Sequence, residues 1–574
     1  MILRRHGWRA VLLGAVTLAA LAAAAACGGG EEEEQPTATA GPAETPQATQ
    51  PPGERQRRQG GELTVHSVEF ASLDPHFSSF AQDISLQRML WRGLYTMDKN
   101  NVPQPAMAAD MPEISEDGTT YTIKLKEGLK WSDGAPLTAA DFEYGIKRTC
   151  NPANAGEYQY VLTNLVGCDA HFNNEAGFDQ ALEDAIGVKA LDETTLEIKL
   201  QQPQPTFTII LSLWMTFPAP KHLFQTTSDP WPTDPSKLAY NGPYILQEYV
   251  QQDHVTLVPN PNWAGEIKPT LDRLIIRFID DAAVAVNAYR AGELDESEVD
   301  TTQLKNIVQE FPDEYLKNLQ PSTRGLEMQL KDPTLSNLEV RLALARAIDR
   351  EKLNEVVVQG ANEPTTSWIP EVTSGVPIGT YDDVIGFDPE AARQHLANAG
   401  YPNGQGFPKL SILVGDSPAA RATGEFLQQS FKEVLNIDTE IEVVDSQTRS
   451  SRYTNQQFQL FPGGWIQDYP DPENWIVGLF DTGGTLNNYN CSLPEIDDLV
   501  AKARFNTNNE ERLQQYREIE RLIIENVCGI APYWHENNHW LVKPYVVGMR
   551  ENTAGQDGVM PGDWIAEAWG IAAE

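Results

Sequence analysis

Residues 271–299, LDRLIIRFIDDAAVAVNAYRAGELDESEV, run from a nearly continuous apolar strand into a helix that stops at Gly292. That is the βα order of a strand buried on both faces in a parallel sheet. A second unit has the same grammar, LSILVGD (410–416) and TEIEVVD (439–445) flanking the helical stretch RATGEFLQQSFKEVL. Other segments alternate instead. TTYTIKLKEG, after the turn Asp117-Gly118, puts Tyr121, Ile123 and Leu125 on one strand face and Thr122, Lys124 and Lys126 on the other, and LEIKL (196–200) repeats the pattern. TAADFEYGIKR reads as a helix with Thr138 and Asp141 in capping-box spacing and Phe142 and Ile146 four apart. Ser336 and Glu339 are spaced to cap another, SNLEVRLALARAIDREKL, whose Leu338, Leu342, Ala345 and Ile348 share a face. The expected body is mixed α/β with at least two sheets. Its 574 residues exceed what one core holds, roughly 250 to 300 residues, so more than one lobe is expected.

The first 27 residues predict export. Arg4, Arg5 and Arg9 precede VLLGAVTLAALAAAAA, an Ala-rich run followed by EEEE rather than by a basic stop-transfer flank. Ala24, Ala25, Ala26 and Cys27 resemble a bacterial lipobox, which makes Cys27 the lipidated amino terminus. Leucine is usual where Ala24 stands, so cleavage at an Ala-x-Ala site remains an alternative. Residues 28–61 are rich in Gly, Pro, Thr, Gln and Glu and predict a disordered tether. The chain has 43 basic and 81 acidic residues, a formal charge of −38, which argues against nucleic acid as a partner. In an exported chain Cys150, Cys168, Cys491 and Cys528 are disulfide candidates. Chain order suggests Cys150 with Cys168 and Cys491 with Cys528, one of three possible pairings. No CxxC occurs, which argues against a structural zinc site.

Several blocks, in order, resemble one family, the extracytoplasmic solute-binding proteins of peptide and nickel ABC transporters. They are PAMAADMPEISEDGTTYTIKLKEGLKWSDGAPLTAADFEYGIKR, NGPYIL, AYRAGELD, VRLALARAIDR, AGYPNGQGFP and GWIQDYPDP, spread over roughly residues 62–550. The resemblance implies a type II periplasmic-binding-protein-like α/β fold with two lobes, a hinge and an inserted lobe. Lobe I would take 62–104, 222–322 and 545–574, the insert 105–221, and lobe II 323–544. It further implies a monomer that encloses a peptide between the lobes without a cofactor and delivers it to a membrane permease.

In peptide-binding relatives the acid of a GWxxD block pairs with the ligand's α-ammonium, and the preceding backbone adds a strand-like ladder. Here that acid is Asp468, preceded by Gly464, Trp465 and Ile466. Gly463 and Gly464 would let another backbone approach closely, Trp465 offers a flat wall, and Asp471 and Glu473 read as turn and helix-start acids. By the same resemblance Ser78, Ser79 and Phe80 of lobe I form the opposing wall. Dipeptide-specific relatives carry a carboxylate-clamping arginine near SILVGDSPAAR, where this chain has Asp416 and Ser417, with Arg421 further on. Longer or non-peptidic ligands are therefore expected. Oligosaccharide binding is the alternative within the family, with Trp465, Trp475 and Trp214 as stacking candidates. The rival enzyme signal is HENNH (535–539), a match to the zinc-protease pattern HExxH. Its adjacent asparagines and flanking aromatic and β-branched residues predict a hairpin turning at Asn537 and Asn538 instead, with His535 and His539 on separate strands at the surface. No Ser-His-Asp order, GxSxG elbow or Walker loop stands out.

Overall fold

The apolar run Arg273–Phe278 pairs in parallel with the strand Glu62–Ser67, and Leu63, Val65, Leu274 and Ile276 are buried together. Its other neighbour, His254–Pro259, is antiparallel because a hairpin delivers it from Tyr244–Val250. The structure is a computed structural model and describes residues 55–78, 80–232, 234–552 and 559–573. The export signal, Cys27 and most of the tether lie outside the described residues. No helix among the described residues is long and apolar enough to cross a membrane.

Between these strands in sequence lies a second, antiparallel sheet, ordered Glu113–Ile114, Thr120–Lys124, Thr195–Lys199, Val188–Ala190. The helix Ala139–Thr149 packs on it, and its capping box forms reciprocally between Thr138 and Asp141. A disulfide joins Cys150, at the end of that helix, to Cys168.

The other core surrounds a seven-stranded sheet. Its order is Glu296–Glu298, then Ile530–Val542 (the histidine strand), Tyr315–Met328 (the long strand), Leu460–Ile466 (the glycine strand), Leu410–Gly415 and Thr439–Val444, with Glu363–Pro364 added beside the histidine strand. Leu410–Gly415 and Thr439–Val444 are parallel, and the helix Pro418–Leu435 between them buries Leu427, Phe431 and Leu435. Helix Ala282–Ala291 places Ala285, Val286 and Tyr289 in this same core, so the chain packs with it well before residue 323. Cys491 and Cys528 are bonded within it. The two α/β lobes meet where Thr64 and Asp295 exchange hydrogen bonds, Thr64 N–H to a carboxylate oxygen at 2.7 Å and Asp295 N–H to the Thr64 carbonyl at 2.7 Å.

Two sequence expectations are corrected. The single helix from Ser336 is two helices, Leu338–Arg346 and Arg350–Val358. Asn337 rather than Ser336 caps the first, and Asp349 caps the second by accepting from Lys352 N–H, which ends one helix and starts the next.

The second correction is HENNH. It is no hairpin but the middle of the histidine strand, with Asn538 opposite Asn318 and Asn537 opposite Leu319. Turn propensity is overridden because Asn537 is held on both groups, its N–H by the Asn362 side chain (3.1 Å) and its own amide by the Ala361 carbonyl (3.0 Å). The register break falls instead on the long strand around Pro321, which has no N–H to give. His535 and His539 are buried, not superficial. Four residues apart on one strand, they are separated by about 13 Å, too far to share the zinc ion that a helical HExxH would hold.

Burial pushes both imidazoles down to about 4. Thr323 Oγ1 donates to the Trp368 carbonyl and so accepts from His535 Nδ1 at 2.8 Å. His539 donates from Nε2 to the Ala361 carbonyl at 3.1 Å and accepts at Nδ1 from the Tyr315 hydroxyl at 2.6 Å. A histidine whose pKa is lowered on folding stabilises the fold above its unfolded value near 6.5, and that contribution is lost as pH falls toward 4. Nitrogen-15 NMR should find both rings neutral at pH 5.5, His535 protonated on Nδ1 and His539 on Nε2. Midpoints near 6.5 would instead place them on an exposed turn.

Candidate ligand-binding site

Beyond its first residue the glycine strand is paired with another strand along one side only, among the described residues. Its inner edge runs antiparallel to the long strand, Arg324 opposite Gly464 and Thr323 opposite Trp465. On the outer edge the strand Leu410–Gly415 touches it at a single pair, Ile412 with Leu460, and then diverges. Beyond that pair, among the described residues, no strand covers the outer edge from Gly463 to Ile466.

The two glycines answer to the inner edge. A Cβ on Gly464 (φ +157°) would lie 2.0 Å from the Thr323 carbonyl oxygen, and one on Gly463 would lie 2.2 Å from Glu327 Oε1. The close approach expected at these glycines is made by the protein's own long strand, by its backbone at Gly464 and by the Glu327 side chain at Gly463.

Asp468 follows the strand and is half-buried. Asn474 fastens it twice, accepting from Asp468 N–H (2.8 Å) and donating to Oδ2 (2.9 Å), and the same amide oxygen accepts from Trp465 Nε1 (3.2 Å). The Tyr158 hydroxyl, from the inserted lobe, donates to Oδ1 at 2.8 Å. Burial raises the Asp468 carboxyl to about 6, opposed by the Asn474 and Tyr158 hydrogen bonds and the Arg88 charge. A carboxylate has about four acceptor positions, and described residues fill two of them here.

The other acids of the run have different tasks. Asp471 accepts from Glu473 N–H at the start of a short 3-10 turn, as a helix-start acid does, and also takes both terminal nitrogens of buried Arg512, at 2.8 and 2.6 Å. Glu473 stands in the first turn of that 3-10 helix, as expected, and has a further task. It is buried, accepts from Thr206 Oγ1 (2.8 Å) and Gln204 Nε2 (3.2 Å) of the inserted lobe, and is pushed up to about 7, chiefly by burial. Tyr469 enters the core of the first lobe. The loop carrying Asp468 is thus clamped between lobes.

Of the opposing-wall candidates, Ser78 is buried with its hydroxyl committed to Asp83 (2.6 Å), while Phe80 is 55% exposed; Ser79 lies outside the described residues. Ser78 contributes through its carbonyl, which accepts from Trp214 Nε1 at 2.9 Å, and Trp214 packs edge-on against Tyr158 with ring centroids 4.7 Å apart. Trp214 and Trp475 are fully buried, so neither has a face for a sugar; of the three stacking candidates only Trp465 is partly exposed. Asp416 and Ser417 are exposed, and Arg421 donates from Nε to the Asp416 carbonyl at 3.1 Å. Tyr158 and Asn474, the two groups that set the state of Asp468, carry no local sequence signal: one lies 310 residues away, the other in an ordinary turn.

Replacing Gly464 with alanine should cost roughly 3 kcal/mol or more, since backbone has to move. At Gly483 (φ +80°), where nothing lies within 4 Å, the same change should cost about 1–2 kcal/mol of conformational strain. Denaturant melts of Gly464→Ala and Gly483→Ala check this, and equal losses would show that the inner edge is not tightly packed.

A model of the bacterial extracellular solute-binding proteins, family 5 (middle region), matches residues 102–487, more than half of the chain. The periplasmic oligopeptide-binding protein OppA of Escherichia coli is 28% identical over 494 residues, covering 84% of this chain and 88% of that one. The probable deoxycholate-binding periplasmic protein YgiS of the same organism is 28% identical over 465 residues, covering 80% and 85%. The solved structure of the Escherichia coli murein tripeptide binding protein MppA, 25% identical, covers 91% of this chain and 100% of that one with a TM-score of 0.77. The architecture is accordingly that of type II periplasmic-binding-protein-like folds, two α/β lobes with a hinge and an inserted lobe.

Proposed function

The chain belongs to the bacterial extracellular solute-binding proteins of family 5, and we propose that it is the peptide receptor of an ABC importer. The reading rests on one observation above all. The bare outer edge of the glycine strand leads directly to a half-buried carboxylate with acceptor capacity to spare. A peptide added to that edge gains main-chain hydrogen bonds indifferent to side chains, and its α-ammonium ends at Asp468 beside Tyr158 and Asn474. The lobes close over it by hinge motion, and the loaded receptor docks on a permease. Export, a lipid on Cys27 and the 28–61 tether would hold the receptor, as a monomer, at the outer face of the membrane. Relatives whose names record oligopeptide and murein tripeptide binding support this ligand class. The burial of Trp214 and Trp475 weighs against the oligosaccharide alternative.

The raised carboxyl gives binding a defined pH profile. An ammonium binds the ionised form of Asp468, so affinity should fall about tenfold per unit as pH drops below 6. It should hold steady from there to about 8 and fall again as the peptide's own amino group, with a pKa near 8, loses its proton. Asp468→Asn should cost on the order of 3–5 kcal/mol with free-amine peptides and abolish the acid limb. Amino-acetylated peptides should bind the parent weakly and the variant no worse. Titration calorimetry from pH 4.5 to 9 checks this; parent and Asp468→Asn with equal affinity for a free-amine peptide would contradict the assignment.

A further inference from the structure

A short way beyond Asp468 a second buried carboxyl bridges two lobes. Glu473, on the loop after the glycine strand, meets Thr206 Oγ1 at 2.8 Å and Gln204 Nε2 at 3.2 Å, both of the inserted lobe. All three side chains are buried. Gln204 is aimed from its own side, because its amide oxygen accepts from Asn164 Nδ2 at 3.1 Å. Behind Glu473, Arg504 places Nε 3.6 Å from Oε1 and donates from a terminal nitrogen to Thr163 Oγ1 of the inserted lobe at 3.0 Å. Arg504 ends the helix Pro494–Ala503, so this side of the contact is built from a loop and a helix together. The sheet of the inserted lobe and the seven-stranded sheet share no strand among the described residues. Side chains make the link between them here, and parting the lobes breaks it.

The contact stands apart from the cleft. The described residues around the cavity of about 500 Å³ that opens beside Pro462, where Leu410–Gly415 leaves the glycine strand, include neither Glu473 nor any of these partners. The Thr206 bond is also available to either protonation state. The hydroxyl donates to an ionised Glu473; to a protonated one its oxygen, which already accepts from Gln204 Nε2 at 3.2 Å, offers its second lone pair. Asp471, two residues before Glu473, is occupied by both terminal nitrogens of Arg512 and does not compete for Thr206.

We propose that Glu473, with Arg504 as a second link, is a latch between the lobes, engaged only when they are closed, that sets how long the receptor holds its ligand without touching it. The inference rests on the hinge closure proposed above and names the groups that hold the closed form. A bond made only in the closed form stabilises that form alone. Capture begins on the open form, before the latch exists, whereas release has to break it. The latch therefore acts on the release rate and leaves the capture rate as it is, by the same factor for every peptide.

Stopped-flow binding of an alanine pentapeptide with a free amino terminus, at pH 7, separates the two rates. Glu473→Ala should speed release roughly ten- to a hundredfold, the worth of a hydrogen bond to a charged group, and change capture by about twofold at most. Glu473→Gln keeps the shape and most of the bonding and should release nearly as slowly as the parent. Thr206→Val, on the other lobe, should speed release in the same sense, and the double variant should release no faster than Glu473→Ala alone. Thr163→Val, which removes the Arg504 link, should add a smaller and separate increase. Parent release rates in both Glu473→Ala and Thr206→Val overturn the latch. So does a Glu473→Ala that slows capture as much as it speeds release, the mark of a misplaced Asp468 loop. If Glu473→Ala does not fold, Thr206→Val decides by the same criteria. Hydrogen exchange on the ligand-free protein tells this inference from the peptide reading. Glu473→Ala should speed exchange at the Thr206 and Phe207 amides across the lobe boundary, and unchanged exchange there overturns the latch. A parent that binds no such peptide while that exchange responds overturns the peptide reading and upholds the latch.

Discussion

A strand bonded on one side and bare on the other is the constraint from which the rest of this site follows. The long strand supplies the inner partner, and it approaches so closely that only glycine fits at 463 and 464. The neighbouring parallel unit then turns away after Ile412. The divergence leaves main chain that no further strand pairs among the described residues, and buried main-chain groups cost free energy unless side chains, water or a ligand satisfy them. The same divergence opens the cavity at Pro462.

Ion placement follows the geometry. Asp468 is kept half-buried by a loop pinned into both lobes, through Asn474 and Trp465 on one side and Tyr158 and Glu473 on the other. Burial makes its charge unfavourable in the empty site, so a cationic partner gains more there than it would on an exposed carboxylate.

Much of the fold was legible in sequence because it is written locally. The apolar run ending at Phe278, the parallel unit at 410–444 and the Thr138 capping box are all patterns of neighbours. Asp468 is singled out in the sequence by its motif, and its carboxylate is found half-buried beside Tyr158 and Asn474. The failures share a physical cause, namely contacts made across the chain. Asn537 and Asn538 have turn propensity, yet the 361–362 segment holds Asn537 in a strand. Tyr158 and Glu473 acquire their roles from contacts between segments far apart in sequence. The glycines were read rightly as places of close approach, by backbone of the long strand at Gly464 and by the Glu327 side chain at Gly463.

The central claim is that a ligand's main chain completes the outer edge of the glycine strand. Hydrogen exchange measured residue by residue, with and without a free-amine pentapeptide at saturation, tests it most directly. The account predicts marked slowing at amides between Gly463 and Ile466, with little change along the already paired Leu326–Met328. Saturable binding that leaves the amides from Gly463 to Ile466 exchanging at their ligand-free rate would contradict it.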